Sequence, residues 1–244
     1  MNRFRLQIRR LLSLLRAGQF GTILEKLRDR IYTNATAFCL RRDLTVPFEA
    51  PAAKIQITVQ PIQEADAMRL FDPSAPGVHP DEILDRTGRM DLFREGIPTC
   101  YAAITPDGSP CYAQWLMSSA DNTRVQRFFR GLFPVLAPDE ALLEGAFTPE
   151  SYRGLGIMAR AMALIAEKAR DFGARYVITF VGEDNLPSLK GCKRAGFVPH
   201  LMRKTEWRFF RGHVTFIPLP AGTPYPFDRE ELSKRSGAQS CVSA

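Results

Sequence analysis

Within PESYRGLGIMARAM, residues 149–162, an arginine and two glycines stand directly ahead of an apolar, alanine-rich run of helical character. A strand ending at GAFT, a tight turn and a helix starting near Gly154 would present unpaired backbone N–H groups and the positive end of a helix dipole. Gly154 and Gly156 remove the side chains that would hold a ligand off that backbone, and Arg153 adds a planar cation suited to two phosphate oxygens. The chemistry of such a turn is anion binding, most naturally of a pyrophosphate. The P-loop pattern G-x-x-x-x-G-K-[ST] is absent, and the dinucleotide pattern G-x-G-x-x-G fails at Ala159. A glycine turn of this kind also serves tight strand-to-helix packing alone, so the spacing by itself leaves both readings open.

A second stretch narrows the choice. The run YRGLGIMARAMALIAEKARDFGARYVITFV followed by NLPSLKGCKRAGF resembles the two core motifs of the GNAT superfamily of N-acetyltransferases. The resemblance is strongest over residues 143–200 and extends, less specifically, back to about residue 54. It implies an acyl-coenzyme A co-substrate, acetyl-CoA or another acyl-CoA, and no metal. It further implies that Arg153, Gly154, Leu155, Gly156, Ile157 and Met158 surround the pyrophosphate largely through main-chain groups. Phe147 and Thr148 at the strand end would pair with the pantetheine arm, and Asn185 would meet that arm from the other side. Met158 departs from the small residue the family places there. Asn185, just ahead of Pro187, also reads as a helix N-cap, and both roles can hold.

Amide formation from a thioester needs a neutral amine, a place for an oxyanion and a thiolate leaving group. Glu144, on the strand expected to abut the thioester, resembles the strand glutamate that some GNAT members use as base; a solvent-facing strand charge is the competing reading. Glu183 and Asp184 stand in reserve. Main-chain N–H groups where GAFT bulges would hold the oxyanion. Cys192 occupies the position of the family's usual general-acid tyrosine. Its acidity suits a thiolate leaving group, but a small buried helix residue is the competing reading, and an alkyl thiolate also leaves unaided. His79, His200 and His213 are scattered without metal spacing. Phe128, Phe129, Phe133, Phe209 and Phe210 read as core or as the lining of an acyl or substrate pocket.

The elements that must position these residues follow from periodicity. KIQITVQ reads as a strand, QEADAMRLF and HPDEILDRTGRMDLFREG as helices, and TCYAAITPDGSPCYAQWLMSS as a hairpin around Pro-Asp-Gly-Ser. RVQRFFRGLFPVL is helical or irregular, EALLEGAFT a strand, ARYVITFVG a buried strand, and KTEWRFFRGHVTFIPL a pair of strands around Arg211-Gly212. This order predicts an α/β (α+β) fold with a GNAT-like mixed, mostly antiparallel sheet flanked by helices.

Ahead of that domain, residues 1–45 carry ten Lys/Arg against Glu25, Asp29 and Asp43, a net +7 that equals the charge of the whole chain, 33 minus 26. Phe4, Ile8, Leu11, Leu12 and Leu15 recur at helical spacing among arginines, and a second helical pattern runs through TILEKLRDRIYTNATAF. The expected organisation is a basic amphipathic helical extension and linker over 1–50, the acyltransferase domain over 51–227 and a disordered tail over 228–244. The extension suits a flap over the sheet, a membrane-surface helix or a dock for an acidic partner such as a carrier protein; no motif accompanies the charge to favour nucleic acid. LLSLL is broken by Arg16 before any cleavage site, so the segment reads as retained. No apolar run approaches the roughly 18 residues of a span. Five cysteines without a C-x-x-C pair favour a reducing, cytoplasmic setting, with peripheral membrane contact an option.

Together these readings describe an acyltransferase moving an acyl group from acyl-CoA to a small-molecule, peptide or lipid-like amine. Two alternatives remain at this level: a longer-chain acyltransferase with a carrier-protein donor, and a non-catalytic acyl-CoA-binding regulatory module.

Overall fold

The computed structural model describes residues 31–228 together with Arg28; the basic amphipathic stretch over residues 1–27 and the expected tail beyond Asp228 lie outside the described residues. Along the chain come β1 (Tyr32–Asp43), β2 (Thr58–Pro61), α1 (Glu64–Phe71), α2 (Pro80–Arg94), the hairpin of β3 (Cys100–Ile104) and β4 (Pro110–Ser118), then α3 (Asn122–Phe129) and β5 (Glu140–Phe147). The second half holds α4 (Ile157–Glu167), β6 (Tyr176–Gly182), α5 (Leu186–Arg194), β7 (Val198–Arg208) and β8 (Arg211–Pro218). The strands form one sheet in the order β2-β3-β4-β5-β6-β1-β7-β8. β5 and β6 pair in parallel, and every other pair is antiparallel. This is the mixed, mostly antiparallel sheet expected from the order of elements.

Each face of the sheet buries its own core. Ile157, Ala161, Met162 and Ile165 of α4, with Leu189 and Cys192 of α5, pack on one face against Leu143 and Val177. Leu70 and Phe71 of α1, Met90 and Leu92 of α2 and Val125 of α3 pack on the other, around Trp115 and Leu142. Adjacent β5 residues thus serve opposite cores, as strand alternation requires.

The first departure from the sequence reading is β1. The helical pattern predicted over residues 22–38 does not hold at its end, because from Tyr32 onward the chain runs as a strand in the sheet interior, between β6 and β7. It enters the sheet well upstream of the boundary expected near residue 50. Ile31, Ala35 and Phe38 sit at helical spacing, which is what misleads the eye. The alternation that wins is Cys39 toward one core and Leu40 toward the other, in a segment enriched in Thr and aromatic residues that favour strands. Arg42, 3% exposed, then ties the strand to α4 through the Ala163 carbonyl, at 3.1 Å, and the Glu167 carboxylate.

The last hairpin also turns elsewhere than expected. Its turn residues are Phe209 and Phe210, both at positive φ (47° and 65°), rather than Arg211-Gly212. Gly212 instead makes room for a neighbour, since a Cβ there would stand 2.9 Å from the Trp207 ring.

Candidate active site

Parallel pairing between β5 and β6 stops at Leu143 and Thr179, although both strands continue. Where they part, β5 also changes register against β4: Ala113 pairs with Phe147 but Trp115 with Glu144, so one extra residue of β5 bulges at Gly145–Ala146. Gly145 has φ +72°, and a Cβ there would come within 2.9 Å of Trp115. The bulge expected at GAFT is therefore present, and glycine is needed at it for both backbone and space. Arg89 of α2 holds the bulge by donating from Nη2 to the Ala146 carbonyl at 2.9 Å.

Immediately downstream, Gly154 and Gly156 have φ of +74° and +76°, and Gly156 is the N-cap of α4. The backbone N–H groups from Gly154 through Ala159 have no acceptor among the described residues, whereas that of Arg160 already bonds to the Gly156 carbonyl. A run of unpaired donors at the positive end of a helix is a cradle for an anion. The residues present fit the pyrophosphate of a coenzyme A. Residues 114–197, which include the bulge, this cradle and α5, match the family model described as the acetyltransferase (GNAT) family. Over these 84 of its 244 residues the chain is similar to the GNAT family.

Solved structures show partial similarity to the chain. The glucosamine N-acetyltransferase region of a fungal multi-domain β-N-acetylglucosaminidase superposes with a TM-score of 0.50 at 12% identity, over 77% of this chain and 22% of that one. A GNAT-family acetyltransferase from Colwellia psychrerythraea gives 0.46 at 16% identity, over 74% and 59%. A GCN5-related N-acetyltransferase from Sphaerobacter thermophilus gives 0.45 at 14%, over 77% and 57%. The chain spans less than two thirds of each of these proteins. No curated protein sequence matches it.

The structure revises several of the residue roles expected from the sequence. Arg153 does not aim its charge at the cradle: Nη2 donates to Glu82 at 2.8 Å and Nε to the Thr148 carbonyl at 3.2 Å. Glu82, 4% exposed, also accepts from Arg86 Nε at 3.1 Å and the Glu150 N–H at 3.0 Å. This buried carboxylate of α2 organises the loop before the cradle. Sequence reasoning missed it, because a single Glu in the acidic first turn of a helix looks like a dipole partner. Glu82→Ala is expected to destabilise the fold by about 3 kcal/mol, since it strands the buried Arg86 without its counter-charge; urea unfolding of the variant checks this.

The cation that does stand at the cradle is Arg194 of α5, whose Nη2 lies 3.5 Å from the position of a Gly156 Cβ. Met158, out of place by family pattern, turns toward α5, where a Cβ on Gly191 would meet its Sδ at 3.1 Å. The larger side chain is thus accommodated by a glycine on the neighbouring helix. Leu155 and Ile157 add their main-chain groups to the cradle while their side chains join the α4-side core. The Leu155 carbonyl is taken by the Lys54 N–H at 2.8 Å. Asn185 caps α5, its Oδ1 accepting from the Ser188 N–H at 3.1 Å, and its amide NH₂ has no partner among the described residues. Phe147 is core, its ring 6.0 Å from Phe71, so any contact it makes with a ligand is through its backbone.

Glu144 follows Leu143 at the parting of the strands and retains some solvent contact. Burial among protein atoms pushes its carboxyl above the usual carboxylate range, opposed by the Gly145 N–H and by Arg203 and Arg89. Arg203, on β7, donates from Nη1 to the Leu132 carbonyl at 3.0 Å and stacks 5.6 and 5.0 Å from Phe133 and Phe180. Phe128, Phe129 and Phe133 continue those rings as an edge-to-face series. The expectation that Phe209 and Phe210 line a pocket or core is corrected: they are 80% and 61% exposed.

Cys192 is corrected as well. Its side chain is fully buried, with Sγ 3.8 Å from Met162 Sδ, and burial pushes the thiol up to about 12. Such a thiol is a much weaker acid than a coenzyme A thiol needs as a proton donor. Glu183 and Asp184 are exposed on the loop after β6.

Proposed function

We propose that the protein transfers an acyl group from an acyl-coenzyme A thioester to an amine by direct attack in a ternary complex. One observation supports this above the others: the run of main-chain N–H groups from Gly154 to Ala159 without acceptors among the described residues, beside strands that part at a bulge. In this reading Gly154, Leu155, Gly156, Ile157 and Met158 hold the pyrophosphate through their backbone, and Arg194 supplies the charge that Arg153 has committed to Glu82. The strand end at Phe147 and Thr148 and the amide of Asn185 flank the pantetheine arm. The donor supplies an activated carbonyl with a thiolate leaving group.

Glu144 takes the amine proton, directly or through water. Its raised proton affinity brings it nearer the working pH than an exposed carboxylate, which is what a general base requires. As the nitrogen attacks, the C–N bond forms and the C–S bond breaks; main-chain N–H groups of the bulge other than that of Gly145, which serves the Glu144 carboxyl, stabilise the developing oxyanion. The thiolate leaves without a side-chain acid. Calorimetric titration with acetyl-CoA and longer acyl-CoAs, followed by thiol release across a panel of amines, tests the proposal. Binding together with amine-dependent release is expected. Absence of binding overturns it, and binding without release for any amine makes the protein an acyl-CoA-binding module instead.

A further inference from the structure

The turn between β7 and β8 presents the sequence Arg208-Phe209-Phe210-Arg211. Both phenylalanines are exposed and both occupy the left-handed backbone region, where bulky residues are outliers and Asn-Gly is the usual pair. Nothing in the turn's own packing accounts for two aromatic side chains there. The neighbouring end of β1 extends the same patch: the Phe209 N–H donates to the Ile31 carbonyl at 2.8 Å, and Ile31 and Tyr32 are 44% and 63% exposed. Cations border it. Arg208 lies over the Tyr32 ring at 4.0 Å, and the Arg211 side chain has no ion-pair or hydrogen-bond partner among the described residues. Immediately ahead of Ile31 in the sequence, residues 1–30 carry eight Lys/Arg against Glu25 and Asp29.

From this juxtaposition we propose that the β7–β8 turn, with the adjoining end of β1, docks the protein on an anionic lipid surface. Aromatic side chains ringed by arginines match the boundary between headgroups and acyl chains, where the rings enter and the cations meet anionic headgroups. A protein partner fits the shape less well: a stable interface takes about 800 Å² from each side, and a two-residue turn is a small projection. A bilayer requires no shape complementarity.

The sheet register gives the contact a direction. Gly182, the last residue of β6, pairs with Ala37, which pairs in turn with Arg203, while Tyr32 pairs with Arg208. β1 and β7 therefore run on past β6 by about five residues, roughly 17 Å, beyond the edge at which β5 and β6 part. Docked through the tip, the protein turns the mouth of the candidate active site toward the membrane plane, the orientation suited to an amphiphilic substrate. The docking itself does not depend on acyl transfer.

Co-sedimentation of the full chain with phosphatidylcholine vesicles, with and without phosphatidylglycerol, tests the proposal. Pelleting that requires phosphatidylglycerol is expected. The double variant Phe209→Asn/Phe210→Gly places the favoured pair in the turn, so it should fold at least as stably as the parent while partitioning about tenfold or more weakly. Arg211→Glu should weaken partitioning in the same direction. No pelleting of the parent, or equal pelleting of the double variant with an unchanged thermal transition, overturns the proposal. A dimer in solution that the double variant converts to monomer would assign the patch to a second copy and also overturn it.

Discussion

Gly156→Glu is expected to weaken coenzyme A binding at least about 100-fold, some 3 kcal/mol, and to leave the fold in place. Two effects act together. The new carboxylate enters a cradle whose donors await an anion, so it competes with a pyrophosphate for those donors and repels it. It also reaches the Arg194 guanidinium, 3.5 Å from the Cβ position, and neutralises the cation standing there. Space is not the obstacle, because the nearest main-chain atoms, the Ala52 carbonyl oxygen and Ala53 Cα, would be 3.4 and 3.5 Å away. Backbone strain at φ +76° costs about 1–2 kcal/mol, which a domain of ordinary stability tolerates. Gly156→Ala carries the same strain without the charge and is the control: calorimetry should show it binding coenzyme A far better than the glutamate variant. Equal affinity of the glutamate variant and the parent would remove the cradle as the cofactor site.

Glu144→Gln should reduce kcat by about 10²–10⁴-fold, the usual contribution of a general base, and at neutral pH make the protein more stable. Burial raises the folded-state pKa of Glu144 above its ordinary 4.5. Between that ordinary value and the raised one, the folded state therefore holds more protons than the unfolded chain. Stability from this group is thus intact in acid and is lost as pH rises through that window. Glutamine has nothing to ionise, so the variant escapes the loss. For the parent, the acid limb of the kcat profile should lie above the exposed-carboxylate range, because the base must be ionised to act. Thermal unfolding of both proteins at pH 4 and pH 7 decides: a stability difference that does not grow with pH, or a variant that keeps full turnover, would return Glu144 to being an ordinary strand charge.

How much of this is legible in the sequence varies by residue. The cradle is, because glycines ahead of an apolar helix carry their meaning locally: backbone freedom, a helix start and a dipole are properties of adjacent residues. The bulge at Gly145 and the cap at Asn185 are legible for the same reason, each being set within a few residues. β1 is misread because Ile31, Ala35 and Phe38 satisfy a helical period over the very residues whose alternation builds a strand. Which period prevails depends on the slot between β6 and β7, contributed from more than 130 residues away along the chain. The hairpin turn is misplaced because Gly212 is the conventional turn residue, whereas here it makes room for Trp207.

By itself, then, the sequence determined most elements from residue 54 onward, the glycine turn ahead of a helix and the carboxylate at the strand end, all encoded in neighbouring residues. Only the tertiary structure decided which charges stand at the glycine turn and which are committed elsewhere. Arg153 looks like the phosphate ligand until Glu82, 71 residues away, is seen to hold it, and Arg194 goes unnoticed until α5 folds beside α4. Cys192 loses its acidic role on burial against Met162, and Phe209 and Phe210 prove to be exposed. Ion pairing, desolvation and exposure depend on what the fold brings near or leaves uncovered, and sequence spacing records neither.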